Sequence, residues 1–280
     1  MSERYDFMRE EVILNELSTT GRVLVNDLAA KLGVSTVTVR KDLDSLEQRA
    51  LLRRVRGGAV VASSGEEGAF SERLRRDSTN KRELAREVAT LVHDGDVITV
   101  DSSTTSYYLA HELLDRRDLM VITSGMRAAL LFMEHSTATV VVPGGVLRRA
   151  SGSMVGAFSN VLEGRGRIAK GFFGVATLST RLGLLELSSE EAETKRSLLN
   201  ACDAVYVTLA SSKIGSFGLH SFAEGNQVTG IFTDERADDS FLRDWAALGV
   251  PVTRVAGTGE LLDHSERSIV AVAGRNGTGS

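Results

Sequence analysis

The run Val34-Ser35-Thr36-Val37-Thr38-Val39-Arg40-Lys41-Asp42-Leu43, with Arg56-Gly57-Gly58-Ala59 a short distance downstream, decides how the first part of this chain folds. Ser35 is placed to cap a helix running to about Arg49, because its hydroxyl can accept from amides left free in the first turn. Val39, Leu43 and Leu46 then recur at the spacing of one buried stripe. The same geometry leaves Thr36, Thr38, Arg40, Lys41 and Ser45 at the helix start or on its other face.

Upstream, residues 4–19 read as a helix with Met8, Val12, Ile13 and Leu17 on one side and Tyr5 at the margin of that stripe. Gly21 ends it. Val23-Leu24-Val25 predicts a very short strand before a second helix over Asn26 to Leu32, with Leu28, Ala29 and Leu32 inward, and Gly33 allows the tight turn that follows. Downstream, Leu51–Val55 and Ala59–Val61 have strand character and Arg56-Gly57-Gly58 joins them as a hairpin. Three short helices followed by a basic hairpin describe a winged helix-turn-helix, whose second motif helix enters the major groove by its N-terminal part. On that reading Ser35, Thr36, Thr38, Arg40, Lys41, Arg54, Arg56, Gly57 and Gly58 are the expected DNA-contacting residues. The alternative is a helical corner of an unrelated domain.

Charge agrees with a local interface. The whole chain carries a formal net charge of −4, yet Arg40, Lys41, Arg49, Arg53, Arg54 and Arg56 are bunched here against Asp42, Asp44 and Glu47. A small basic face on an acidic protein confines polyanion binding to one end. At 280 residues, 42% hydrophobic and 25% charged, the chain is an ordinary globular protein of about two domains. Cys202 is the only cysteine, which excludes an internal disulfide and a cysteine-built zinc site, and its place at a helix-to-strand junction suits the core. The polar start Met1-Ser2-Glu3-Arg4 lacks the apolar core of a signal peptide, no stretch is long enough to span a bilayer, and a cytoplasmic protein is expected.

Ala62 to Ala69 is small and polar and reads as a linker, with Phe70 to Arg76 as a strap onto a second domain. Beyond Asn80 helices alternate with short Val- and Ile-rich runs. Helices are expected at Lys81–Leu91, Tyr107–Leu114, Arg127–Met133, Ser189–Ala201 and Asp239–Leu248. Strands are expected at Val97–Val100, Leu119–Thr123, Thr139–Val142, Phe172–Val175, Ala204–Leu209, Gln227–Thr233 and Pro251–Val255. That alternation marks an α/β domain with a largely parallel sheet. The expected organisation is a winged helix-turn-helix over 1–62, linker and strap over 63–76, an α/β domain over 77–275 and a flexible tail over 276–280.

Asp101-Ser102-Ser103-Thr104-Thr105 leaves the end of a strand just before a helix, where free amides and hydroxyls can hold an anion. The bland reading is a Ser/Thr helix cap with nothing bound; the crevice at strand ends of an α/β sheet favours the ligand. Pro143-Gly144-Gly145 also follows a strand, with Arg148 and Arg149 beyond, and reads equally as a solvated turn. Glu191 and Lys195 are one helical turn apart, which by itself favours a surface pair. Ser211-Ser212-Lys213 and Thr233-Asp234 repeat the polar loop after a strand, with Lys213 a candidate anion partner and Asp234 a candidate acceptor from sugar hydroxyls. His220 is isolated and reads as an ordinary surface or core histidine. No His, Asp or Glu spacing makes a metal site.

Taken as a set, these motifs resemble the DeoR/GlpR family of bacterial transcriptional regulators over residues 4–255. The N-terminal likeness rests on Arg9 with Ile13, Val34-Ser35 through Leu43, Leu46, Leu51 and Arg56 to Ala59. The C-terminal likeness rests on Asp94-Gly95-Asp96, Asp101 to Thr105, Thr123, Gly144-Gly145, Val155-Gly156, Phe173-Gly174, Glu191, Lys195, Ser212-Lys213 and Thr233-Asp234. The resemblance implies a sensor domain like the ribose-phosphate isomerase and CoA-transferase fold that binds a phosphorylated sugar or related metabolite. It makes Asp101, Ser102, Ser103, Thr104 and Thr105 the effector loop, with Gly144, Gly145, Arg148, Glu191, Lys195, Lys213 and Asp234 around it. Ser103 departs from a usual glycine, Ser124 from asparagine, and Ala169 and Ala210 from aspartates.

The resemblance implies a homodimer or homotetramer binding an inverted-repeat operator in double-stranded DNA, repressing a sugar operon until effector binds, with no cofactor, metal or membrane. Half-sites would then lie about 34 Å apart. Competing expectations are an effector-insensitive repressor, an activator, and a sugar-phosphate isomerase using Glu191 or Asp234 as acid or base. The expected class is a regulator and not an enzyme.

Overall fold

The computed structural model describes residues 9–10, 12–14, 16–17, 22–48, 52–61, 70–156 and 167–257. Tyr5 and Met8, the linker over 62–69 and the tail over 276–280 lie outside the described residues. The chain divides into two compact units, 1–66 and 67–280, described separately.

In the first unit the described positions of 9–17 are helical, and Ile13, Leu14 and Leu17 are buried. Strand β1 (Arg22–Leu24) is followed by helices α1 (Val25–Leu32) and α2 (Thr36–Gln48), then strands β2 (Leu52–Val55) and β3 (Gly58–Val61). α1 ends because Gly33 adopts φ 64°, a left-handed cap that a side chain resists. The three strands form an antiparallel sheet in the order β1-β3-β2. Val23, Val25, Leu28, Val39, Leu43, Leu46, Leu52 and Ala59 fill the space between sheet and helices. Among the described residues the expected helices, turn and hairpin are present; residues 4–8 and 18–21, Arg49 and Leu51 lie outside them.

The second unit opens with α3 (Phe70–Arg75) and α4 (Ser78–Ala89). Alternation follows: β4 (Val97–Val100), α5 (Thr104–Glu112), β5 (Met120–Thr123), α6 (Met126–His135) and β6 (Thr139–Val141). A hairpin, β7 (Val146–Arg148) with β8 (Ser153–Val155), precedes β9 (Ile168–Gly174), β10 (Thr177–Ser179) and β11 (Gly183–Glu186). The remainder is α7 (Ser189–Asn200), β12 (Cys202–Leu209), β13 (His220–Ala223), β14 (Gly230–Asp234), α8 (Asp239–Ala246) and β15 (Val252–Val255). Seven strands form one parallel sheet in the order β15-β14-β12-β9-β4-β5-β6. Both faces are covered: Phe172 packs in one cluster with Leu84, Tyr108 and Phe132, while its neighbour Phe173 points into the other with Leu184, Phe222 and Trp245.

The strands that the sequence reading missed are β7, β8, β10, β11 and β13. They are antiparallel segments of three or four residues, too short for a period to declare itself. α5 also begins earlier than Tyr107. Ser103 caps it, so Thr104 and Thr105 lie in its first turn.

The sheet order locates a crevice. Chain progress runs outward from β4 through β5 to β6 on one side and from β9 through β12 and β14 to β15 on the other. Loops leaving β4 and β9 therefore part company at their carboxyl ends, the place where open α/β sheets bind ligands.

Candidate functional site: an exposed helix face and a strand-end crevice

In the first unit α2 presents Thr36, Val37, Arg40 and Lys41 to solvent, while Val39, Asp42, Leu43 and Leu46 are buried. Ser35 and Thr38 are spent on the cap: Thr38 N donates to Ser35 Oγ at 3.0 Å, and the two hydroxyls meet at 2.9 Å. Asp42 is held by two guanidinium nitrogens of Arg9, at 2.9 and 3.1 Å, which ties α2 to the N-terminal helical stretch.

The wing is seated by its glycines. Gly57 accepts from Val25 N at 2.9 Å. A Cβ on Gly58 would lie 2.0 Å from the Val23 carbonyl oxygen, so β3 reaches β1 only because this residue is glycine. Arg56 and Gly57 are exposed at the tip. Arg54 is turned back: its Nε donates to Asp44 at 2.9 Å, one Nη to Gly58 O at 3.0 Å, and its backbone N to Glu47 at 2.7 Å. Although the sequence placed Arg54 beside Arg56 as a DNA contact, its side chain braces the wing against α2.

In the second unit Asp101, at the end of β4, is completely buried. One carboxylate oxygen accepts from Ser103 N at 2.9 Å and Ser106 Oγ at 2.6 Å, and the other accepts from Gly174 N, at the end of β9, at 2.8 Å. Lys195 lies 2.8 Å from Asp101 and donates also to Gly174 O at 2.7 Å and to Glu186. An ammonium has three N–H groups, so the donors of Lys195 are all matched by protein acceptors, and its Nζ sits 5.4 Å from the Phe222 ring centre. Burial pushes the Asp101 carboxyl up, but Lys195 and the hydroxyl and amide donors outweigh it and hold it below its ordinary value. Burial acts on Lys195 in the opposite sense and is outweighed by Asp101 and Glu186, which keep it above the usual lysine range.

Glu191 sits at the start of α7, which Ser188 caps. It accepts from Ser102 Oγ at 3.3 Å, from Arg148 at 3.2 Å and from Ser153 Oγ. Arg148 also donates to Ser188 Oγ at 3.1 Å. The β7–β8 hairpin therefore grips α7, and Gly144 and Gly145 lie just before β7 with φ 66° and 129°. The hairpin has a second attachment. Phe70 N, at the start of α3, donates to Ala150 O at 3.1 Å, and the Arg127 guanidinium lies 4.7 Å from the Phe70 ring centre.

Asp101 to Thr105 and Glu191 thus meet at the ends of β4 and β9, with Arg148 on the Glu191 carboxylate. Ser102, Thr104 and Thr105 are buried, and the first turn of α5 leaves amides without intrahelical acceptors there. Ser103 is committed to its cap, accepting from Ser106 N at 3.1 Å. Gly174 exists for the sake of that serine, since a Cβ on it would lie 2.5 Å from Ser103 Cβ.

Lys213 and Asp234 belong to loops after β12 and β14. Lys213 donates to Val175 O at 2.6 Å. Asp234 accepts from Ser211 N at 2.7 Å, Ser211 Oγ at 2.8 Å and Arg236 Nε at 2.9 Å, and stitches the two loops together. Lys81 donates to the carbonyls of Arg73 and Arg76, and burial with the nearby charge of Lys213 pushes it down to about 8.

Ser106, Ser153, Ser188 and Glu186 were not singled out from the sequence. Ser106 had a signal, the three-residue spacing from the cap Ser103; Glu186 had none, because its short antiparallel strand was not foreseen. Asp94-Gly95-Asp96 lies at the opposite end of β4, where Asp96 meets Lys170 at 2.6 Å. His220 stands opposite Glu186 in the β11–β13 pair. Cys202 is buried, and burial pushes its thiol up to about 12. Among the described residues no group of three or more His, Cys, Asp or Glu could hold a metal, and no helix is long and apolar enough to cross a membrane.

Residues 9–65 match the model of a DeoR-like helix-turn-helix domain, and residues 76–235 that of the DeoR C terminal sensor domain. The chain is 26% identical over 226 residues, covering 81% of it and 90% of the relative, to the glycerol-3-phosphate regulon repressor of Escherichia coli (strain K12). It is 29% identical over 233 residues to the L-fucose operon activator of Haemophilus influenzae, covering 83% and 93% of the two chains. Among solved structures, ribose 5-phosphate isomerase A of Methanocaldococcus jannaschii aligns with a TM-score of 0.38 and 17% identity over 50% of this chain and 55% of that one.

Proposed function

Because the chain belongs to the DeoR family of DNA-binding transcriptional regulators, we propose that it controls a carbohydrate operon and responds to a phosphorylated sugar or polyol bound in the strand-end crevice. The observation that carries this reading is the junction of β4 and β9, where the first turn of α5 meets a crevice edged by Ser102, Thr104, Thr105 and Arg148. Free amides at a helix start and a nearby guanidinium suit a phosphate, while hydroxyls and the Glu191 carboxylate suit the sugar. Lys213, with donors beyond the one given to Val175, is the further cation of this reading. Gly144 and Gly145 shape the base of the hairpin that carries Arg148. Lys195 and Asp234 act through the frame they hold.

In the first unit Thr36, Arg40, Lys41, Arg56 and the amide at Gly57 meet DNA, Gly58 is buried between β1 and β2 and seats the wing, and Ser35 and Thr38 cap α2. Paired copies of the chain, working in the cytoplasm, read an inverted repeat with half-sites about 34 Å apart. Repression is the expected sign, relieved by effector; relatives include both a repressor and an activator, and the sign follows from where the operator lies. Ligand releases DNA only insofar as it binds the DNA-free arrangement more tightly.

The test titrates full-length protein on its operator fragment against a panel of phosphorylated sugars and polyols, each beside its unphosphorylated counterpart. One ester is expected to weaken DNA binding at least about tenfold, a coupling of ordinary allosteric size. Lys213→Ala is expected to keep operator affinity and lose the response. If no ester in the panel changes DNA affinity or raises the thermal midpoint, the effector reading fails.

A further inference from the structure

We propose that Val37 reads a thymine methyl group in the operator and is a sequence-specifying contact of α2; the inference rests on operator binding by that helix. Val37 is 73% exposed, more than any other large hydrophobic residue described in the chain. Scattered surface hydrophobics are common and by themselves mean little. The position of this one is what matters.

At about 100° per residue, Val37 points within about 10° of the direction opposite the buried stripe of Val39, Asp42, Leu43 and Leu46. It is therefore the centre of the outward face, with Thr36 beside it and Arg40 and Lys41 flanking it one turn on. Asp44, two turns on, is held by Arg54 at 2.9 Å and does not oppose a polyanion at the helix start. The hydroxyls of Ser35 and Thr38 are joined to each other and to the cap. Of the first three positions of the helix, the one aimed straight outward is apolar.

Folding does not call for valine there. An exposed helical position favours alanine or an unbranched polar side chain, and a β-branched residue is a poorer choice on rotamer grounds. The major groove offers one apolar feature at a base edge, the C5-methyl of thymine, and short apolar side chains meet it. Arginine and lysine on either side supply the phosphate or base contacts that would bring the valine down onto it.

The experiment uses the full chain and a duplex that it enriches from a randomised pool. Each thymine of that duplex is replaced singly by deoxyuridine, which removes only the methyl group. One thymine per half-site is expected to weaken binding about three- to fivefold when replaced, the worth of burying one methyl. Val37→Ala should weaken binding to the unmodified duplex by a similar factor and bind the thymine and uracil duplexes alike, with its urea midpoint unchanged. The proposal is overturned if no uracil substitution matters, or if the sensitive position stays sensitive in Val37→Ala. Enrichment of no duplex at all would instead sink operator reading itself, and this contact with it.

Discussion

Lys195 illustrates why one residue's neighbours matter more than its charge. Its ammonium is shared among Asp101, Glu186 and Gly174 O, and burying a paired charge gains little over an apolar core, whereas removing one partner is expensive. Lys195→Met is therefore expected to cost about 3–5 kcal/mol in urea unfolding of the second unit. The pair Ser103 and Gly174 makes a second residue-scale prediction. Gly174→Ala should destabilise by about 1–3 kcal/mol through overpacking against Ser103. Adding Ser103→Gly should restore most of it, because glycine replaces a serine cap at a cost of only a few tenths of a kcal/mol.

At the scale of elements, the wing separates a bracing arginine from an exposed one. Arg56 stands free at its tip and Arg54 is bound to Asp44 and Gly58. If Arg56 meets a phosphate, Arg56→Ala lowers the slope of log affinity against log salt by about one, because one fewer counterion is released. Arg54→Ala is expected to leave that slope alone and lower the unfolding midpoint. The two arginines look alike in the sequence, two positions apart in a basic run, and only the turn of the hairpin distinguishes them. Helices and parallel strands were legible because their periods extend over enough residues, as with Val39, Leu43 and Leu46 or the run Val97–Val100. The hairpin β7–β8 and the strands around Glu186 were not, since three-residue antiparallel segments are fixed by partners distant in sequence. The site divided along the same line. Asp101 to Thr105 could be read because loop and cap are local, while the Lys195–Glu186 and Glu191–Ser153 contacts join segments that only the fold brings together.

Across the whole molecule, pH offers a probe of the second unit that needs no ligand. His111 packs edge-on to Tyr107 with ring centres 5.0 Å apart, and burial, aided by the charges of His135 and Arg82, pushes it down to about 4 from 6.5. The unfolded chain thus takes up this proton near pH 6.5 and the folded chain only near 4. Between those values the unfolded state binds more protons, so stability falls as the solution is acidified and this contribution is gone below the folded value. Urea midpoints at pH 7 and pH 5 should show that loss in the parent chain and a smaller one in His111→Gln.

The saturation of Lys195 bears finally on what the proposed ligand crevice could vary. The ends of β4 and β9 form a floor in which Asp101, Lys195 and Gly174 already satisfy one another. A floor with no spare donor cannot be retuned for a new guest without being broken. In the proposed effector crevice, choice among metabolites would fall to Ser102, Thr104, Thr105, Arg148 and Lys213, which lie outside that closed set of contacts.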